Sequence, residues 1–377
     1  MSPYKLFIVA AILAIFGLGG YLYFSTPQPE PNYAAYIEPD PVTITAEDCL
    51  PEEEYDPVEE VCFVEYICES DEECAKVEEE LISLGYIIDP YLEGELTISS
   101  DNTRSGEEVP AEELLVLYVV EENALSASST FPVSEEVQGL QDDSSSHAAL
   151  WDFVKAIIPL SYLKTIAYFE IFTDGVDGTL AAVARDIEDS KLWTLSLDPV
   201  DSFEKGSLNG VVLPFSLIHE FGHIVTLHEN QIVLNASLLN ASEETAEQKN
   251  AEARSKCEPL YFVYGEGCAR LDSYVNTFYQ RFWKELAPRI AEIEAIEDDE
   301  EYFVALETFY LENKNAFVTE YAATNVEEDI AESFATFILA EQPTGKGLRD
   351  QKVLFFYNYP ELVSLRDTLR ARLARSL

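Results

Sequence analysis

The chain has 377 residues, 47% of them hydrophobic and 12% aromatic, which excludes a largely disordered polymer and allows one large domain or two moderate ones. Its 23 basic and 71 acidic side chains give a formal charge of −48, and such a surface repels phosphate backbones, so nucleic acid is excluded as a partner. Residues 1–150 hold 33 of the acidic side chains and three of the basic ones, as expected of a solvated module ahead of a more ordinary domain.

Leu6 to Phe24 is an uninterrupted apolar, Gly and Tyr stretch with Lys5 before it and no further basic residue until Lys76. It reads as an N-terminal membrane anchor (residues 1–24) with a cytoplasmic N-terminus and everything else outside the cell membrane, the alternative being a cleaved signal and secretion. Residues 25–48 are acidic and Pro-rich, an extended spacer. Residues 49–125 read as a small module holding Cys49, Cys62, Cys68 and Cys74. An exported chain with six cysteines implies disulfides, with Cys257–Cys268 as a local loop and the pairing of the front four left open. Ser126 to Ser146 is small and polar, a linker.

The main domain is expected over 147–377. "HAALWDFVKAIIPLSYL" is helical, "TIAYFEIFTDG" is a strand, and "TLAAVARDIEDSKLWTLSLDP" is a hairpin ending in a strand from Trp193 to Leu197; a helical pattern then runs to the end. The order is that of an α+β domain with one sheet near its front.

Three of the four histidines, His219, His223 and His228, fall within ten residues, in "LPFSLIHEFGHIVTLHEN". On a helix His219 and His223 are about 40° apart on one face and can share a metal, while Glu220 sits about 100° round, placed to take a proton from a water. Those residues in that spacing point to one catalytic Zn²⁺. His228 is one position out of register for a third ligand and reads as an exposed helix-end residue. Further on, "EYAATNVEEDIAESFATFILA" is a capped helix that brings Glu328 and Glu332 onto one stripe beside Ile330, Phe334, Phe337 and Ile338, and either glutamate fits as the third ligand. Glu327 and Asp329 read as a solvated acidic face.

"HEFGH" with the downstream "YAATNVEEDIAESF" resembles the catalytic domain of anthrax-lethal-factor-type metallopeptidases, which belong to the gluzincin group. The resemblance covers these two motifs and the order of elements around them. It implies a zincin-like fold, with Glu328 as third zinc ligand, Glu332 supporting the site, and Tyr321 donating to an oxyanion. It also implies hydrolysis of a peptide or protein substrate, with Glu220 as base. By analogy with zincins, Trp193, Thr194, Leu195 and Ser196 are expected on the sheet edge that binds the substrate backbone. The insertion with Cys257 and Cys268 sets this chain apart from the toxin, whose substrate preference is not implied. The competing reading is a non-catalytic zinc-containing binding or scaffold protein at the cell surface; oligomeric state is not addressed by these motifs.

Overall fold

A computed structural model describes residues 54–56, 61–63 and 113–376, apart from 175–178, 187–188, 205 and 297. The expected anchor, the spacer, and the pairing of Cys49, Cys62, Cys68 and Cys74 lie outside the described residues. Among the described residues, no helix is long and apolar enough to cross a membrane. Glu54–Asp56 and Val61–Phe63 form a short antiparallel hairpin, with Tyr55 opposite Cys62.

The central sheet has five strands: β1 (Glu113–Glu121), β2 (Ala124–Thr130), β3 (Ile166–Thr173), β4 (Ala181–Arg185) and β5 (Trp193–Leu197), in the order β2-β1-β3-β5-β4. Only β3 and β5 run parallel. The two-residue turn between β1 and β2 puts both Glu122 (φ 51°) and Asn123 (φ 64°) in the left-handed region, the conformation that matches the twist of a tight hairpin. Helix α1 (Ser144–Ile157) buries Leu150, Trp151, Val154 and Ile157; the Trp151 ring packs 5.1 Å from Phe169 of β3, and its indole N–H donates to the Asn123 carbonyl.

Two boundaries drawn from the sequence are corrected here. Glu113–Glu121 is expected within the cysteine module, and Ala124–Thr130 straddles that module and the linker from Ser126, yet both are strands of the main sheet, and β1 pairs along β3 from Glu113–Thr173 to Val119–Tyr168. His147, the expected first residue of the domain, is fully buried, with its Nδ1 2.8 Å from the Tyr118 hydroxyl of β1. The linker expectation failed because β2 is an outer strand with almost every side chain exposed, so its residues "ALSASST" have no apolar face to betray them.

After β5 come helix α2 (Val212–Thr226), a small sheet and the helical half. The small sheet is also a correction, because the sequence after Leu197 reads as helical throughout. It consists of β6 (Ile232–Leu234), β7 (Phe262–Val263) and β8 (Gly267–Ala269), with helix α3 (Glu243–Cys257) between β6 and β7. The Cys257–Cys268 disulfide joins the end of α3 to β8. Helix α4 (Val326–Leu339) then crosses α2, followed by α5 (Leu348–Phe355) and α6 (Pro360–Ser376).

Thirteen of the fifteen residues of α2 are buried, and its start is satisfied by Asn209, whose side-chain oxygen accepts from the N–H groups of Val211 and Val212. The crossing with α4 depends on Gly222. A Cβ there would lie 3.2 Å from Phe334 Cδ1 and 3.3 Å from Ala331 Cα, so the glycine and Ala331 let the two backbones come together. α4 is in turn locked to α5 by a fully buried ion pair, Lys352 Nζ to Asp329 Oδ2 at 2.7 Å, and the same carboxylate accepts from the Trp283 indole. Asp329 is therefore not on a solvated face as the sequence suggested, and Glu327 accepts from the Tyr261 hydroxyl.

Candidate metal centre

The α2–α4 crossing brings three ligand atoms together. His219 Nε2 lies 3.0 Å from Glu328 Oε2, His223 Nε2 lies 3.3 Å from the same oxygen, and the two imidazole nitrogens are 3.1 Å apart. Ligands about 2.0–2.1 Å from a tetrahedral zinc stand roughly 3.3–3.4 Å from one another, so the triangle has the size such an ion requires, and its two-nitrogen, one-oxygen donor set suits zinc. Glu328 reaches the point because it lies in the first turn of α4, where Asn325 caps the helix by accepting from the Glu328 N–H at 2.9 Å.

Glu332, one turn along, lies 2.6 Å from His219 Nδ1 through Oε1, while its Oε2 accepts from the Thr319 hydroxyl at 2.8 Å. The Thr319 oxygen itself accepts from the Ala322 N–H. This chain of contacts presents His219 to the centre through Nε2 and fixes its ring, the arrangement by which carboxylates orient metal-binding histidines. Of the two glutamates left open by the sequence, Glu328 is the one that faces both histidines.

The electrostatics favour a cation at this point. Burial opposes positive charge on the histidines, but Glu332 and Glu328 outweigh it at His219, and Glu328 does so at His223, so both rings have raised pKa values. Burial also works against charge on Glu328, yet His223 and His219 hold its carboxyl below the usual range.

Glu220 Oε1 stands 3.9 Å from His219 Nε2. Burial pushes its pKa up to about 7, against the pull of His219 and His223 and a hydrogen bond from the Val183 backbone. Tyr321 lies in the one-turn helix Tyr321–Ala323 just before α4; its ring centroid is 5.8 Å from that of His219 and the residue is 49% exposed, which puts it at the open side of the centre. His228 lies past the end of α2 and outside the triangle.

The expected substrate-binding strand is not where the sequence put it. β5 is flanked by β3 and β4, so it has no free edge. Trp193 and Leu195 are buried in the core, Thr194 pairs with Ala184, and the Ser196 hydroxyl is spent on Glu170 at 3.0 Å. The outer strand on this side is β4. Its pairing is bracketed by the bonds from Asp198 N–H to Leu180 and from Asp186 N–H to Leu192, so Ala181, Val183 and Arg185 turn their backbone groups away from β5. Val183 is the residue whose backbone meets Glu220.

Sequence reasoning also missed Arg185. Its guanidinium forms a two-bond pair with Glu266 (3.0 and 2.9 Å), donates to the carbonyls of Ser190 and Leu227, and stacks 4.3 Å over Trp193. It ties β4 to the end of α2 and to the disulfide loop. The signal was available: an arginine in an otherwise apolar strand requires a buried acceptor. The chain matches no family model, no curated protein and no solved structure.

Proposed function

We propose that the chain is an exported, membrane-anchored zinc-dependent peptidase of gluzincin type, with His219, His223 and Glu328 as zinc ligands and peptides or proteins as substrates. The observation that carries this reading is the convergence of those three ligand atoms within 3.0–3.3 Å, with a buried glutamate beside them on the same helix. A purely structural zinc site has no use for such a base.

A zinc ion held by this triangle supplies Lewis acidity, making water acidic and polarising a carbonyl. Glu220 takes the proton of the attacking water and passes it to the leaving amine as the peptide C–N bond breaks. Its carboxyl, buried beside the triangle and held by a hydrogen bond from the Val183 backbone, is placed for both transfers. Tyr321 donates a hydrogen bond from its hydroxyl to the oxyanion, a contribution of about 3 kcal/mol to barrier lowering for donors of this kind. β4 supplies the outward backbone groups on which an extended peptide adds as a further strand. Glu332 positions His219 and takes no part in proton transfer.

Metal analysis of the purified chain together with a peptide-library digest tests the proposal. One zinc per chain and cleavage that stops on zinc removal are expected. One zinc per chain with no cleavage of any library member would identify a zinc-containing binding protein instead, and no zinc would refute both.

A further inference from the structure

A second group of metal-ligating side chains stands apart from the histidine centre. Asp174 directly follows β3 and Asp198 directly follows β5, and because these strands are parallel neighbours both carboxylates arrive at the same end of the sheet. Asp201 joins them from the single turn Pro199–Ser202. One oxygen from each of the three lies within 4.8 Å of the others, close enough for all to reach an ion at about 2.3–2.6 Å.

The acids alone would not make a site. Asp174 is 5% exposed; its Oδ2 accepts from the Thr179 N–H, but its Oδ1 is inaccessible to solvent and has no hydrogen-bond partner. Asp201 Oδ2 is inaccessible and unpartnered too, as is the hydroxyl of the fully buried Ser202. Asp198, also fully buried, accepts from the N–H groups of Val200 and Asp174. Among the described residues, no lysine or arginine forms an ion pair with any of the three. Carboxylates held this close and out of water repel one another unless a cation lies among them.

We infer that Asp174, Asp198 and Asp201 form a second cation site, for calcium rather than zinc, fastening the ends of β3 and β5 to the chain that enters β4. Oxygen-only, all-carboxylate donors are the choice of a hard ion, and calcium tolerates an irregular shell where magnesium demands an octahedral one. The effect on the fold is local: Thr179 is held by Asp174 and the Leu180 carbonyl by the Asp198 N–H, so an ion here fixes both sides of the entry to β4. The site does not depend on the histidine centre being a peptidase. Burial, with a smaller push from Asp174, raises the pKa of Asp201, and burial raises that of Asp198 to about 6 against hydrogen bonds from Val200, Thr173 and Asp174.

The test is a calcium titration of the full chain loaded with zinc, read as the thermal midpoint and by calorimetry. A dissociation constant of about 10⁻⁴–10⁻³ M, in the range of extracellular calcium modules, is expected. The midpoint should rise by about 3–6 °C at tenfold excess over it. Sodium at matched ionic strength should give no such rise and magnesium a smaller one. Asp174→Asn and Asp201→Asn should each remove most of the calcium response while leaving zinc content unchanged, and without calcium each should melt no lower than the wild type, because a repulsive charge has been removed. A wild-type midpoint indifferent to calcium would overturn the inference. So would variants that keep the full response, since that response would then come from the acidic surface as a whole.

Discussion

Glu332 Oε1 stands 2.6 Å from His219 Nδ1, across the crossing of α2 and α4, and is braced from behind by Thr319. In the proposed zinc centre this casts Glu332 as the support of a ligand and Glu328 as the ligand. Glu328→Ala should nearly abolish zinc binding, since two protein ligands hold a catalytic zinc poorly. Glu332→Ala should weaken affinity by about 10–100-fold. Thr319→Val should act in the same direction and less. Competition with a chelator of known affinity measures all three, and a larger loss at Glu332 than at Glu328 would exchange their roles.

Gly222 sets how closely α2 and α4 approach. Gly222→Val has to displace Phe334 and the Ala331 backbone, so it should destabilise the chain by about 1–3 kcal/mol as overpacking does. It should also lower zinc affinity by separating the histidines from Glu328. Thermal melting and zinc content in the same preparation check the pair of effects; a variant that loses stability and retains full affinity would show that the crossing distance does not set the site.

Arg185 is 4% exposed at its side chain and its partner Glu266 16%. Arg185→Met should cost about 3 kcal/mol, the lower end of the range for breaking a buried pair, because Glu266 keeps some access to water. The double variant with Glu266→Leu should recover part of that loss. Chemical denaturation of the two variants measures the difference, and additive losses would argue against a coupled pair.

His147 donates from Nε2 to the Leu140 carbonyl, its Nδ1 lies 2.8 Å from the Tyr118 hydroxyl, and the ring is fully buried, which favours its neutral form. Burial lowers its pKa, against smaller opposing effects of Leu140 and Asp143. A histidine with a depressed folded pKa contributes stability above its unfolded value, near 6.5, and loses it as pH falls through the folded one. Melting temperature should therefore decline on acidification below about pH 6.5 more steeply in the wild type than in His147→Gln, which keeps a neutral donor and acceptor. Parallel pH profiles would remove His147 from the account.

The helices that bear chemistry were legible because each combines an apolar period with residues that have a reason to be there: the histidine pair and Glu220 on one helix, the capped Glu328 and Glu332 on the other. Strand order was not legible. "WTLSL" alternates large and small like an edge strand, yet it is central, because the preceding "AAVAR" folds back against its free side. Nor was the start of the sheet, since the polar β2 depends on pairing with β1 and gives no apolar pattern of its own. The burial of Asp329 could not be read locally, because the partner that makes it tolerable, Lys352, is 23 positions away on another helix.

In the proposed peptidase, Glu220 acts as a base beside a zinc held by His219, His223 and Glu328. This role is tested most directly by measuring zinc content and peptide turnover in Glu220→Gln and wild type side by side. One zinc per chain is expected in both, with turnover lower in the variant by about 10²–10⁴-fold, the usual contribution of a positioned base. Equal turnover in the two proteins would contradict it.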